Sequence, residues 1–280
     1  MIALSNLSFP ANVNSTFLET LVREGLSGVE VAPTRLAAWP DLTEMLLRTY
    51  RTKLADLGLK IPALQAIFFG VERAALLGDT SAFVRLLEHL RVVAGVAACL
   101  GASVAVLGSP QQRKRGRLSL KEAYALGAER LRRCAELVHN ATGLIIGLEP
   151  VPSFYGCDFL ESAEEALAMV RLVNHPGLRL HLDTACIRLA GSDITTAIEQ
   201  GSPWLVHFHV AQPELGGFAA PLAEHKIAGS VLQRVGYKGW KSIEMRQIED
   251  WQRATIQALR FTSRIYRDTK PTILACKLSF

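Results

Sequence analysis

Long apolar runs are missing from this chain. No stretch approaches the roughly 18 to 20 uninterrupted apolar residues that a membrane helix needs, so no membrane partner is expected. The N-terminal MIALSNLSFP lacks a basic segment followed by a small-residue cleavage site; no export leader is read, and the expected location is the cytoplasm. Cysteine is sparse, with five residues, an odd number, and no CxxC pair. That argues against a disulfide framework and against a zinc knuckle. Cys99 and Cys134 fall in helical patterns and read as small core residues. No low-complexity linker or composition break divides the chain, which reads as one domain. No GxGxxG follows the first apolar run, where LSNLSFPAN stands, and this weakens the case for an open dinucleotide-binding sheet.

What is present suits one large core. Of 280 residues 49% are hydrophobic, with a mean hydropathy of +0.20. The net charge of +5 and pI near 9.0 fit an anionic ligand, whether sugar phosphate, acidic metabolite or nucleic acid. The densest basic cluster is QQRKRGR, with Arg113, Lys114, Arg115 and Arg117; it reads equally as a solvated loop or an anion contact.

A unit of apolar run, loop and amphipathic helix repeats along the chain. Strand candidates are IALS, GVEVA, IPALQAI, SVAVLG, LIIGLE, LRLHLD, LVHFHV and KSIEM. Helical segments lie between them; in FVRLLEHLRVV, Phe83, Leu86, Leu87 and Leu90 recur at the spacing of one buried face. Ser119, Ser162 and Asp193 stand where N-caps belong, and Gly25, Gly58 and Gly101 where helices should end. Eight strands alternating with about eight helices predict a single-domain (β/α)8 TIM barrel over residues 1–262, leaving 263–280 as a C-terminal extension of unknown role.

Four of these runs end alike. IIGLEP, HLDTAC, HFHVAQ and SIEM carry Glu149, Asp183, His209 and Glu244 at the ends of strands five to eight. All eight strands of such a barrel point their C-terminal ends at one face, where the active site is built. The four side chains should therefore converge. Three carboxylates and an imidazole make a ligand set for one divalent cation, manganese first, with cobalt, magnesium, iron or zinc as alternatives. A cation also relieves the repulsion of crowded, buried carboxylates. It would polarise a hydroxyketone carbonyl and stabilise the enediolate formed when a neighbouring proton leaves, with Glu149 and Glu244 as the acid/base pair. His181 and His207 precede Asp183 and His209 by two residues on the same strand face and read chiefly as core histidines.

These residues resemble the sugar phosphate isomerase/epimerase group of the xylose isomerase-like barrel superfamily. The resemblance runs from GVEVAPTR, starting at residue 28, to SIEMR, ending at 246, and rests on LQAIFFG, VLGSP, LEPVPSFYGCDF, HPGLRLHLDT, HFHVAQPEL and GYKGWKSIEM. It implies metal ligands at Glu149, Asp183, His209 and Glu244 and catalysis by Glu149 and Glu244. Around them the chain departs from the family pattern. Cys186 stands where ketohexose epimerases carry a histidine, Tyr155 where they often carry a glutamate, and Ala211-Gln212-Pro213 where sugar-phosphate relatives read Ser-Glu-Pro. The implied substrate is a sugar-like small molecule, neutral or anionic, other than a common ketohexose.

Gln65, Arg113, Tyr155, Cys186, Gln212 and Arg246 are the expected substrate contacts, Arg246 as a fork for a carboxylate or phosphate. Glu30 closes strand two beside them, and Phe154, Tyr155 and Trp39 are candidates for an apolar wall. The main reading is a metal-dependent isomerase or epimerase. The alternative is a lyase or dehydratase acting on a keto-sugar with the same metal. An endonuclease IV-like enzyme needs further histidines that LQAIFFG and VLGSP do not supply, so no nucleic-acid partner is expected. A barrel that has lost catalysis is the remaining alternative. A homodimer is the expected assembly.

Overall fold

The computed structural model describes residues 1–266; the expected extension from residue 267 onward, Cys276 included, lies outside the described residues. Eight parallel strands form the sheet: β1 (Ile2–Ser5), β2 (Gly28–Glu30), β3 (Ala63–Leu64), β4 (Val104–Leu107), β5 (Ile145–Leu148), β6 (Leu178–Asp183), β7 (Leu205–Ala211) and β8 (Lys241–Glu244). Their order is β2-β1-β8-β7-β6-β5-β4-β3. The circle closes between β2 and β3, where Val29 N–H donates to the Lys60 carbonyl at 2.8 Å and Gln65 N–H to that of Val31 at 2.9 Å. This is the expected single-domain (β/α)8 barrel.

β3 is shorter than IPALQAI promised. Pro62 has no N–H to give to a ladder, and Ala66 turns out of the strand at φ 52°. Gly28 marks the same seam: a Cβ there would lie 2.7 Å from the Lys60 carbonyl oxygen and 2.9 Å from the Trp240 ring, so only glycine lets the strands meet.

Around the strands run α1 (Ser15–Arg23), α2 (Glu44–Ala55), α3 (Thr80–Leu100), α4 (Leu120–Thr142), α5 (Ala163–Val173), α6 (Thr184–Leu189), α7 (Ile194–Gly201), α8 (Glu224–Arg234) and α9 (Trp251–Ile265). The β6–β7 connection carries two short helices, so the described residues hold nine, one more than the pattern predicted. α9 runs through Ile265, past residue 262. Ser119 and Ser162 form capping boxes with Glu122 and Glu165, and Asp193 caps α7. Gly101 ends α3 at φ 78°. On α3, Phe83, Leu86 and Leu90 are buried while Leu87 is only partly so.

The core lies between strand backs and helices. Outward-facing Leu4, Ile146, Leu148, Phe208, Val210 and Ile243 are completely buried against the helical ring. The opposite faces of the same strands, by the period-two alternation of a strand, turn into the barrel. Apolar residues thus hold the strands in place while their alternate neighbours carry the polar interior. No helix among the described residues is long and apolar enough to cross a membrane.

Candidate functional site

Strand register sets the polar interior. Across β6 and β7, His181 pairs with His207 and Asp183 with His209; across β7 and β8, Ala211 pairs with Glu244. Gly147 on β5 leaves room for the histidine layer, since a Cβ there would come within 3.3 Å of the His181 Cβ.

His209 is the centre of the cluster. Its Nδ1 lies 3.3 Å from Glu244 Oε2, 3.8 Å from Asp183 Oδ2 and 3.9 Å from Glu149 Oε1. Its Nε2 lies 3.0 Å from Glu30 Oε1 on the other edge of the ring, and His207 Nε2 lies 3.0 Å from Glu30 Oε2. Glu30, His207, His209 and Asp183 are all buried. His181 Nε2 is 3.5 Å from Glu149 Oε1 and packs edge-on against His209.

Several inward atoms have no hydrogen-bond partner, both nitrogens of His181 among them. His209 Nδ1 and Asp183 Oδ2 are both buried and unsatisfied, although a buried lone pair or carboxylate oxygen normally finds a donor. Asp183's other oxygen accepts from Cys186 N–H at 2.7 Å, which fixes the orientation of the carboxylate. Three carboxylate-bearing or imidazole side chains, Asp183, His209 and Glu244, offer atoms within 4.8 Å of one another, as do Glu149, His181 and His209. The donor set and its orphaned atoms fit a divalent cation.

Electrostatics point the same way. Burial, joined by the negative Asp183 and Glu244 nearby, pushes the Glu149 carboxyl up to about 8 from 4.5. Asp183 rises to about 6 from 3.8, through burial and then the Glu244 charge. Burial opposes charge on His209, but the Glu30 and Glu244 carboxylates outweigh it and hold the imidazole well above its ordinary value. His181, buried beside two other imidazoles, lies well below it and is neutral. Carboxylates that resist ionisation until a cation arrives are a feature of sites that bind one.

The cavity over this cluster has two lobes. One, of about 570 Å³, is lined by Thr34, Arg35, Gln65, Phe69 and Val106 with Glu149, His209 and Glu244 at its floor. The other, of about 360 Å³, is lined by Val151, Tyr155, Ala185, Cys186, Ala211 and Gln212 with Glu149, Asp183 and Glu244.

Of the expected substrate contacts, Gln65, Tyr155, Cys186 and Gln212 line these lobes. Gln65 Nε2 donates to Glu244 Oε1 at 2.5 Å. Tyr155 Oη accepts from Glu214 N–H at 2.9 Å. Gln212 is held by buried His225 at 2.6 Å and by Leu222 N–H at 3.2 Å. Arg113 is fully buried behind the site instead, its Nη1 donating to the Glu149 carbonyl at 2.8 Å. Arg246 is exposed and outside the lining of both lobes, its backbone N–H tied to the Leu215 carbonyl at 2.9 Å. Trp39 donates to the Phe69 carbonyl at 2.8 Å and Phe154 is 58% exposed; neither lines a lobe.

Three participants escaped the sequence reading. The Glu30–His207 contact unites two residues that the sequence presents separately, and Arg35 lines the larger lobe, which Arg246 does not. Gly108 is the third: a Cβ there would fall 2.2 Å from Glu149 Oε2, so the glycine leaves the space in which that carboxylate sits.

The profile of the xylose isomerase-like TIM barrel family matches residues 18–264. A Synechocystis sp. protein named a probable ketose 3-epimerase is 28% identical over 168 residues, covering 59% of this chain and 52% of its own. The chain thus aligns with about half the length of that curated relative. Among solved structures, a D-psicose 3-epimerase crystallised in the presence of D-fructose superposes with a TM-score of 0.77 at 16% identity, covering 95% of this chain and 99% of that one. The apo 3-keto-D-glucoside 4-epimerase of E. coli gives 0.74 at 16% identity, with 94% and 98% covered.

Proposed function

This chain belongs to the xylose isomerase-like TIM barrel family, and from that premise we propose that it is a divalent-metal-dependent isomerase or epimerase of a sugar-like hydroxyketone. The observation that carries the reading is the meeting of two orphaned, buried ligand atoms, His209 Nδ1 and Asp183 Oδ2, with Glu149 and Glu244 at the C-terminal mouth of the barrel. Glu149, Asp183, His209 and Glu244 would hold one cation, manganese before cobalt, magnesium, iron or zinc. When bound, that cation supplies Lewis acidity to the substrate carbonyl.

The chain's own residues do the rest. Glu149 and Glu244 exchange a proton at the carbon beside the carbonyl, one removing it and the other returning it. Opposite faces give epimerisation; return to the adjacent carbon gives isomerisation. Gln65 orients the Glu244 carboxylate through its amide. Glu30 lies 3.0 Å from His209 Nε2 and would keep the proton on that nitrogen when a cation displaces the one on Nδ1, directing the Nδ1 lone pair to the cation. In the smaller lobe Val151, Ala185, Cys186 and Ala211 form an apolar wall beside Ser109, Tyr155 and Gln212; this lining, with Cys186 and Tyr155 in place of the histidine and glutamate of ketohexose epimerases, supports a substrate other than a common ketohexose.

The test is C–H exchange of keto-sugars in D2O followed by NMR, with the Mn²⁺-loaded wild type, Glu149→Gln and Glu244→Gln. Exchange by the wild type and its loss in both variants support the proposal. Exchange accompanied by the signals of a dehydrated keto product moves it to the lyase reading; full exchange in both variants contradicts it.

A further inference from the structure

We propose that Arg35 recognises an anionic group, a carboxylate or a phosphate, on the substrate of this site; the inference rests on the reading above for the site but not for the reaction. Arg35 ends the short turn Pro33–Arg35 after β2 and lines the larger lobe together with Glu149, His209 and Glu244. Neither lobe is lined by any other lysine or arginine among the described residues. Arg113 is committed to the Glu149 carbonyl and to the Cys157 sulfur, and the Arg115 guanidinium to the Asp158 and Leu118 carbonyls.

The guanidinium is largely uncommitted. One nitrogen, Nη2, donates to the Phe9 carbonyl at 2.9 Å and reaches Gln247 Oε1 at 3.5 Å; both acceptors are neutral. Its Nε is buried without a hydrogen-bond partner, and no carboxylate among the described residues pairs with the side chain. A guanidinium carries five N–H donors in a planar fork that suits the two oxygens of a carboxylate or phosphate. Burying one of those donors unmet is unfavourable unless something arrives to meet it.

Charge balance agrees. Glu149, Asp183 and Glu244 with one divalent cation leave the floor net negative, which repels an anionic substrate unless a fixed positive charge offsets it. Arg35 is placed in the lobe to do this. The Phe9 backbone carbonyl and the Gln247 side-chain amide both engage Nη2, and the other two guanidinium nitrogens are left for a ligand.

The test titrates the full chain calorimetrically, Mn²⁺-loaded and metal-free, with three matched hydroxyketones: neutral D-fructose, carboxylate-bearing 5-keto-D-gluconate and D-fructose 6-phosphate. The wild type is expected to bind one of the two anions about tenfold or more tightly than D-fructose, the size of a charge-assisted pair. Which anion it prefers distinguishes carboxylate from phosphate. Arg35→Gln should bring that ratio within about twofold, and Arg35→Lys, keeping the charge but not the fork, should retain part of it. An Arg35 that only braces the loops would alter affinity for all three probes together and leave the ratio untouched. A ratio near one in the wild type, or one that survives Arg35→Gln, overturns the inference. A chain that takes up no Mn²⁺ yet shows an Arg35-dependent preference loses the metal-dependent reading and keeps this one; a metal-loaded, exchanging enzyme without the preference does the reverse.

Discussion

Glu30, at the end of β2, holds the Nε2 edge of His209, on β7, at 3.0 Å from across the barrel. The same carboxylate takes His207 Nε2 at 3.0 Å, so one buried side chain orients two imidazoles. Partners of this kind set which ring nitrogen is free for a metal, and their loss typically lowers metal affinity by about 10- to 100-fold. Glu30→Gln should therefore bind Mn²⁺ that much more weakly while still reaching the wild-type stoichiometry at saturation. Manganese titration followed by electron paramagnetic resonance reads both quantities; wild-type affinity in the variant contradicts the orienting role.

Gly108 gives a steric prediction. Its absent Cβ is what leaves room for Glu149 Oε2, at 2.2 Å. Gly108→Ala must displace that carboxylate, and misplacement of a reacting group by about 1 Å can lower turnover on the order of 100-fold. The expected result is a kcat loss of that size with the thermal transition little changed. Normal kcat would mean that Glu149 does its work from another position.

pH dependence follows from Glu149, pushed up to about 8, and Asp183, pushed up to about 6. Both must be ionised to hold a cation, so Mn²⁺ affinity should rise with pH through about 6 to 8 and binding should release protons. The metal-free fold responds in the opposite sense. A carboxyl whose folded pKa lies above its unfolded value binds more protons when folded, so its contribution is complete below about 4.5 and is lost as pH rises towards 8. Thermal melts without metal should fall across that window and recover on adding Mn²⁺. Calorimetry in buffers of different ionisation enthalpy counts the protons; zero release at pH 7 contradicts the account.

How far the sequence carries this reading depends on what each residue's position requires. The barrel was legible because β4 to β8 are buried apolar runs closed by caps such as Ser119 and Ser162. Glu149, Asp183, His209 and Glu244 could be grouped because parallel strands in a barrel must bring their ends together. Arginine direction was not legible. Ser109 sits at φ 41° and turns the following segment so that Arg113 folds behind Glu149, whereas the backbone tie from Arg246 to Leu215 leaves that side chain in solvent. Both outcomes depend on loop geometry that has no periodicity. Arg35 went unnoticed for the same reason, standing in a turn rather than at a strand end.

The most direct test of the central claim is metal analysis of the purified chain after Mn²⁺ loading and gel filtration, with the wild type compared against Asp183→Ala. Asp183 Oδ2 is buried in the cluster without a hydrogen-bond partner. The account predicts about one equivalent in the wild type and loss of nearly all of it in the variant. A wild type that retains no metal, or a variant that retains as much as the wild type, contradicts it.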